Sequence, residues 1–274
     1  MIRQPNLNTG IGSTIWVQPA IITTPITTPV KTTSLGEAFK PKQAGQKKSH
    51  IIFVLDDSGS MQSCRDQTIE GFNEYLKGQK LDSVNTGIKT FVSLYKFDGW
   101  NVNCVYDQID VADAALLNRD SYNPRGGTNL LDAMGGVMMK INEQLSAHKK
   151  RDRESVIITI LTDGQENQSR TFRNADVKAM VEKAEAKNWG FMFLGANIDA
   201  FAAGSSMGFS SHNTMQFNTA NATETIRSAS AMTSRMKSAY ATGEYSGAAG
   251  NMALYSVTAF TEQERSASVG KDDK

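Results

Sequence analysis

Cysteine and histidine are scarce in this chain, and their scarcity excludes several kinds of site. The 274 residues contain two cysteines, Cys64 and Cys104, and three histidines, His50, His148 and His212. The two cysteines have neither the spacing of a zinc site nor the density of a disulfide-stapled secreted domain. We expect two buried free thiols, although a single disulfide also fits the sequence. No histidine has a partner at metal-binding spacing, so we expect all three at the surface.

The chain also lacks a charge imbalance and a long uninterrupted apolar segment. It has 29 basic and 28 acidic residues, a net charge of +1, which gives no reason to expect a nucleic-acid partner. The apolar stretch 11–26 is broken by prolines and threonines, so no membrane span is predicted. The first residues lack the basic and then apolar profile of a secretion signal, so we expect a cytoplasmic protein. With 39% hydrophobic and 21% charged residues, the chain can bury a sizeable core.

Proline is rare except at the amino-terminal end. Five of the six prolines lie in the first 41 residues, which are therefore predicted to be extended rather than helical. Residues 1–49 carry six basic side chains and one acidic side chain, so this arm is basic. It is either a flexible solvated leader or an arm that becomes ordered along a neighbouring subunit, as its isoleucine, valine and tryptophan content would allow.

From residue 50 onward, apolar strands alternate with helical patterns. Segment 51–55 is a continuous apolar run, typical of a strand buried on both faces. Segments 90–97 and 102–106 are predicted to form a hairpin, which places one antiparallel strand at a sheet edge. The alternation predicts an α/β fold for residues 50–242: a doubly wound, mostly parallel central sheet of about six strands, flanked by helices.

The carboxyl-terminal part of the sequence has few apolar residues that could pack against the rest of the domain. The last helix of this domain, predicted at 223–240, has a thin apolar stripe among alanines and serines, so we expect it to dock weakly. Residues 243–274 form a polar tail, which we expect to be disordered beyond Thr261.

Five oxygen-bearing side chains are predicted to meet at one edge of the sheet. Asp56, Ser58 and Ser60 come directly after the first buried strand, where a glycine permits a sharp turn. Thr128 follows two glycines at a helix entrance, and Asp163 ends another buried strand. Such oxygens are hard ligands, suited to Mg²⁺, Mn²⁺ or Ca²⁺. Taken singly, the serines and the threonine could be helix caps, and the aspartate a turn residue.

The order of these motifs resembles the metal-ion-dependent adhesion site of von Willebrand factor type A domains. The matching stretches are Asp-x-Ser-Gly-Ser at 56–60, Gly-Gly-Thr-Asn at 126–129 and Thr-Asp-Gly at 162–164, without a substitution at the five oxygen positions. Segment 190–197 is similar to stand-alone members from bacteria and their phages. The resemblance implies a Rossmann-like fold and a divalent metal, Mg²⁺ (or Mn²⁺ or Ca²⁺). It further implies that Asp56, Ser58, Ser60, Thr128 and Asp163 hold the metal, and that a carboxylate of a protein partner completes the coordination.

Two further polar residues follow the third motif. Glu166 and Asn167 either contact the bound partner or are solvated loop residues, and the sequence leaves both readings open. Asp57 should point away from the site because of strand alternation.

The leading interpretation is a metal-dependent protein-binding module with an adhesion or scaffolding role. The alternative is a structural or assembly component, for instance of a virion, that docks to neighbouring subunits through residues 1–49. If the protein is encoded by a phage, we expect it to be associated with the virion. An enzyme is not expected, because the chain has no phosphate-binding Gly-x-x-x-x-Gly-Lys-Ser/Thr loop and no acidic residue two positions after Asp56.

Overall fold

A computed structural model describes residues 47–146, 154–187, 189–242 and 257–270. Its six strands form one sheet: β1 Lys48–Asp56, β2 Lys89–Phe97, β3 Val102–Asp110, β4 Ser155–Thr162, β5 Trp189–Ala196 and β6 Thr214–Phe217. The helices of the same residues are α1 Arg65–Thr86, α2 Leu130–Ser146, α3 Asn174–Glu185, α4 Ala200–Ser206, α5 Ala222–Thr242 and α6 Glu262–Val269. Almost all of the predicted arm 1–49 lies outside the described residues.

The sheet has the strand order β3-β2-β1-β4-β5-β6. All neighbouring strands are parallel except β2 and β3, which form the antiparallel hairpin at one edge. The predicted doubly wound, mostly parallel α/β fold is therefore confirmed. The strand order reverses between β1 and β4, and open α/β sheets bind ligands beyond the carboxyl ends of strands at such a point.

Alternate residues of β1 face two separate apolar layers. On one face, the ring of Phe53 packs edge-on against Phe72 and Tyr75 of α1, with centroids 5.1 and 5.3 Å apart. On the other face, Ile52 and Val54 are buried in a second apolar cluster together with residues of α2, α3 and α4. Because both faces are covered, the strand is apolar at each of the five positions 51–55 rather than at every second one.

Helix α5 is held more firmly than its thin apolar stripe predicts. The side-chain amide of Gln79 in α1 donates to the backbone oxygen of Ser230 at 2.9 Å and to its hydroxyl at 3.0 Å. The ammonium group of Lys237 is fully buried, 2.5 Å from a carboxylate oxygen of Asp82 and 3.1 Å from the hydroxyl of Thr90. The expectation of weak docking is wrong, because pairing of buried polar groups adds to the apolar contact.

The expectation of disorder beyond Thr261 is also wrong for residues 262–270. Thr261 caps α6: its hydroxyl accepts from the backbone nitrogen of Glu264 at 3.2 Å, and its own backbone nitrogen donates to that carboxylate at 2.8 Å. Arg265 then donates to the backbone oxygen of Thr214 at 2.6 Å. Helix α6 therefore lies along the outer edge of β6, which protects this edge from pairing with a further strand.

The environments of His50, Cys64 and Cys104 can be compared with those expected from the sequence. His50 is fully buried in the central strand, where its Nε2 lies 2.7 Å from the hydroxyl of Ser93, so the expected surface position is wrong. Cys64 is a buried free thiol as expected, whereas Cys104 is free but exposed on the edge strand. His148 lies outside the described residues. No helix of the described segments is long and apolar enough to cross a membrane.

Candidate metal centre

The first loop of the candidate centre begins where β1 ends. The backbone nitrogen of Ser58 donates to Oδ1 of Asp56 at 2.8 Å, which folds the chain sharply over the carboxylate. Gly59 then approaches the second loop closely, and its backbone nitrogen donates to the backbone oxygen of Gly126 at 3.0 Å. The first two loops are thus joined through backbone atoms, so their side chains are held at a defined separation.

Hydroxyl groups connect the first loop to the third. The hydroxyl oxygens of Ser58 and Ser60 lie 3.2 Å apart, and Ser60 donates to Oδ1 of Asp163 at 2.5 Å. Thr162, the last residue of β4, donates its hydroxyl to Oδ2 of Asp56 at 2.5 Å. Parallel pairing of β1 with β4 brings these residues together, since the paired residues Leu55 and Leu161 directly precede Asp56 and Thr162.

The position of Gly164 shows that the oxygens of all three loops converge. A Cβ atom at this residue would lie 3.1 Å from Oγ1 of Thr128, 3.5 Å from Oγ of Ser60 and 3.9 Å from Oδ2 of Asp56. One small region is therefore bordered by an oxygen from each of these three side chains. The structure brings together all five of the residues that the sequence singled out.

Two carboxylates are buried in this centre without a basic partner. Asp56 is completely buried and Asp163 is 4% exposed, and neither forms a salt bridge within the described segments. Burial raises the pKa of Asp56 to about 6, while hydrogen bonds from Ser58 and Thr162 oppose the shift. Burial also raises the pKa of Asp163, against the hydrogen bond from Ser60.

A divalent cation fits this set of donors. Oδ2 of Asp163 is buried and receives no hydrogen bond from any described residue, and the two carboxylates lack a compensating positive charge. A cation would supply both missing interactions, and carboxylate and hydroxyl oxygens are the ligands that Mg²⁺, Mn²⁺ and Ca²⁺ accept. Within the described segments, no group of three or more His, Cys, Asp or Glu side chains is placed so that it could hold a metal ion. A cation at this centre would therefore be held by two carboxylates together with hydroxyl groups.

Comparison with known proteins finds similarity in structure but not in sequence. No protein-family model matches the chain, and no curated protein does. The pilus adhesin SpaC from Lactobacillus rhamnosus GG aligns with a TM-score of 0.50 and 14% identity, over 69% of this chain and 30% of the adhesin. A von Willebrand factor type A structure from Catenulispora acidiphila aligns with a TM-score of 0.47 and 14% identity, over 69% of this chain and 43% of the other. Proximal thread matrix protein 1 of the mussel byssus aligns with a TM-score of 0.47 and 13% identity, over 70% and 47%.

The chain spans less than half of the length of each of these three structures. The six-stranded sheet, which is parallel except for one antiparallel edge pair and is flanked by helices, has the Rossmann-like architecture. The fold is that of a von Willebrand A domain. At these sequence identities, the similarity concerns the fold alone.

Within this A-type fold, Glu166 and Asn167 shape the loops of the site. One oxygen of Glu166 accepts from the backbone nitrogens of Gln168 and Ser169, and the other from Leu131 at the start of α2. Asn167 accepts from the backbone nitrogen of Thr128 at 3.0 Å. These bonds hold the helix entrance against the third loop. Contact of either residue with a partner stays a prediction.

Two residues that support the candidate metal centre were not anticipated from the sequence. The hydroxyl of the buried Tyr122 donates to the backbone oxygen of Asp56 at 2.7 Å, and Thr162 binds the carboxylate of the same residue. Thr162 lies inside the quoted Thr-Asp-Gly motif, so its position carried a signal, whereas Tyr122 carried none. Asp57 points away from the centre as expected, and its carboxylate pairs with Lys96 at 2.9 Å.

Proposed function

We propose that this chain is a divalent-cation-dependent protein-binding module. Asp56, Ser58, Ser60, Thr128 and Asp163 would hold the cation, which is Mg²⁺, Mn²⁺ or Ca²⁺. The observation that carries the proposal is the convergence of these oxygens around two buried carboxylates that have no basic partner. Membership of the von Willebrand A family, close to its stand-alone bacterial and phage members, is part of the same proposal.

The small number of anionic donors suits the binding of an external carboxylate. A bound divalent cation that is only partly neutralised by the protein attracts a further anionic oxygen at an open coordination position. Hydrogen bonds from Ser58 and Thr162 hold the carboxylate of Asp56 in one orientation, and Ser60 does the same for Asp163. A carboxylate of a protein partner is therefore the ligand we propose, in an adhesion or scaffolding role.

The proposal contains no catalytic step. A nucleophilic aspartate must reach its substrate, whereas Asp56 is fully buried and both of its carboxylate oxygens accept hydrogen bonds. Incubation with acetyl phosphate and Mg²⁺, followed by mass spectrometry, should find no phosphorylated aspartate. A phospho-aspartate at position 56 would favour phosphoryl transfer instead.

Thermal unfolding with and without Mg²⁺ tests the cation site. Mg²⁺ should raise the Tm of the full chain, and excess EDTA should reverse the rise. Asp56→Ala should fold and lose both the rise and the binding of any partner that co-purifies with the wild type. Asp57→Asn is the matched control: it removes the neighbouring carboxylate, which faces Lys96, and should keep the Mg²⁺ response. If EDTA changes neither Tm nor partner binding, the proposal is wrong.

A second candidate function is that of a structural or assembly component, in a virion if the protein is encoded by a phage. The basic, proline-rich and isoleucine-containing arm 1–49 motivates it. The backbone oxygen of Lys47 already accepts from Lys89 beside β1, so a deletion of residues 1–46 leaves the sheet intact. If the protein is an assembly component, the deletion abolishes assembly with neighbouring subunits. If it is a cation-dependent binding module, the deletion leaves Mg²⁺-dependent binding unchanged. A cytoplasmic location otherwise remains a prediction.

A further inference from the structure

An exposed tryptophan stands at the tip of the β2–β3 hairpin. Trp100 is 69% exposed, which is unusual for so large an apolar side chain. The guanidinium of Arg170 lies over its ring, 5.4 Å from the ring centre. An arginine stacked on tryptophan leaves both side chains accessible from solvent, and these two residue types are enriched among the energetically important positions of protein interfaces.

Both side chains are carried by backbone that is fixed through hydrogen bonds. Asp98 accepts from the backbone nitrogens of Trp100 and Asn101 at 2.7 and 2.8 Å, which closes the hairpin tip. Asp132 accepts from the backbone nitrogen of Arg170 at 2.8 Å. Little backbone ordering would thus accompany binding at this point, which favours affinity.

The hairpin tip adjoins the second loop of the candidate metal centre. The side chain of Gln168 fills the space at both Gly99 and Gly127, so that a Cβ atom at either glycine would meet it within 2.5 Å. A Cβ atom at Gly99 would also lie 3.0 Å from the backbone nitrogen of Gly127, the residue before Thr128. Trp100 therefore lies on the same side of the molecule as the candidate metal centre, and we call the surface around Trp100, Gly127 and Gln168 the rim.

The acidic and basic side chains of this rim differ in whether they are free to pair with a partner. Its acidic side chains are already engaged: Asp98, Asp132 and Glu166 accept from backbone nitrogens, and Asp57 pairs with Lys96. Arg125 and Arg170 are exposed, and neither has a carboxylate within salt-bridge distance among the described residues. The carboxylates keep their charge, but their oxygens are occupied by these donors, so the groups on this rim that are available to pair with a partner are the guanidinium groups of Arg125 and Arg170.

We propose that Trp100 and Arg170 form a second contact for the protein partner, which binds through an acidic segment. One carboxylate of that segment would reach the cation, and a further Asp or Glu side chain would lie against Arg170 with its stem on the Trp100 ring. Arg125 adds positive charge on the same rim. The inference rests on the proposed function, because it places the second contact beside the cation.

Selection of peptides from a displayed random library tests this surface. The immobilised full chain is panned in millimolar Mg²⁺, and the selected pool is then measured against variants. The pool should be enriched in Asp and Glu and should bind Trp100→Ala and Arg170→Glu about tenfold or more weakly than the wild type, as expected for an interface anchor. Trp100→Phe should restore part of the affinity. Leu81→Ala is the control, because it truncates another exposed apolar side chain, in the second half of α1, and should change nothing.

The outcomes separate this inference from the proposed function. A pool that needs Mg²⁺ and Asp56 but binds Trp100→Ala like the wild type overturns the inference and leaves the proposed function standing. A pool that depends on Trp100 but ignores EDTA and Asp56→Ala supports the rim surface and contradicts the metal-dependent function. A pool without acidic enrichment, or no enriched peptide at all, overturns the inference.

Discussion

Replacing Gly164 with alanine perturbs the candidate metal centre without removing any of its five oxygen donors. The added methyl group would lie between Thr128, Ser60 and Asp56, at 3.1 to 3.9 Å from one oxygen of each. The backbone of Gly164 is not in the left-handed region, so alanine is compatible with it. We expect a folded protein that is less stable by about 1 kcal/mol, because the contact with Thr128 is tight.

The effect on cation binding can be expressed as a loss of thermal stabilisation. A ligand present at 100 times its Kd stabilises the native state by about 2.7 kcal/mol. In a domain of this size, that corresponds to a rise in Tm of about 5 to 10 °C. If the methyl group weakens the site a hundredfold, the stabilisation falls to about 0.4 kcal/mol, or about 1 °C.

Differential scanning calorimetry over a Mg²⁺ titration measures this difference. Gly136→Ala is the control: it lies within α2, where an added Cβ would meet no atom within 4 Å. The control should keep the full Mg²⁺ response and gain about 0.5 to 1 kcal/mol from reduced chain entropy. A wild-type Mg²⁺ response in Gly164→Ala would refute a cation site among these oxygens.

Three further predictions concern the rest of the fold. Burial lowers the pKa of His50 to about 4, against the charge of Asp107, while the unfolded residue titrates near 6.5. Between these pH values the unfolded state binds more protons, so stability is fully present above pH 6.5. Compared with His50→Gln, the wild type should lose about 3 kcal/mol as the pH drops from 6.5 to 4, measured as the difference between the two proteins in urea unfolding, because the raised pKa of Asp56 acts in the opposite direction in both. Lys237→Met leaves Asp82 without its partner and should cost about 2 kcal/mol in guanidinium unfolding, part of which Asp82→Asn restores. Equal stability of the single variant and the wild type would contradict that account. Arg265→Ala should cost about 1 kcal/mol and speed hydrogen exchange in β6, and unchanged exchange would show that α6 does not protect this edge.

Much of the architecture was predictable because its signals are local. The continuous apolar run 51–55 predicts a strand covered on both faces, and the short link 98–101 predicts the antiparallel hairpin. The residues of the candidate metal centre could be predicted from the sequence for a similar reason. Residues that directly follow buried parallel strands, such as Asp56 and Asp163, must meet at the same sheet edge once the strands pair.

The environments of polar residues at the sheet and helix surfaces were not predictable in this way. The sequence of α5 shows few apolar residues. Nothing near Lys237 in the chain indicates that this side chain will form an ion pair with Asp82. His50 is adjacent to linker-like sequence, and only the pairing of β1 with strands on both sides buries it. Such contacts join residues far apart in the chain, so local pattern carries no information about them.

The sequence by itself determined the order of strands and helices and the five oxygen-bearing residues, because periodicity and motif spacing are properties of the chain. The tertiary structure decided how these residues are used. It left Oδ2 of Asp163 without a hydrogen bond, bound Asp56 through Thr162 and Tyr122, and engaged both oxygens of Glu166 in loop contacts. Hydrogen-bond capacity and charge compensation depend on which groups meet in space, and that is settled only when the loops are packed against one another.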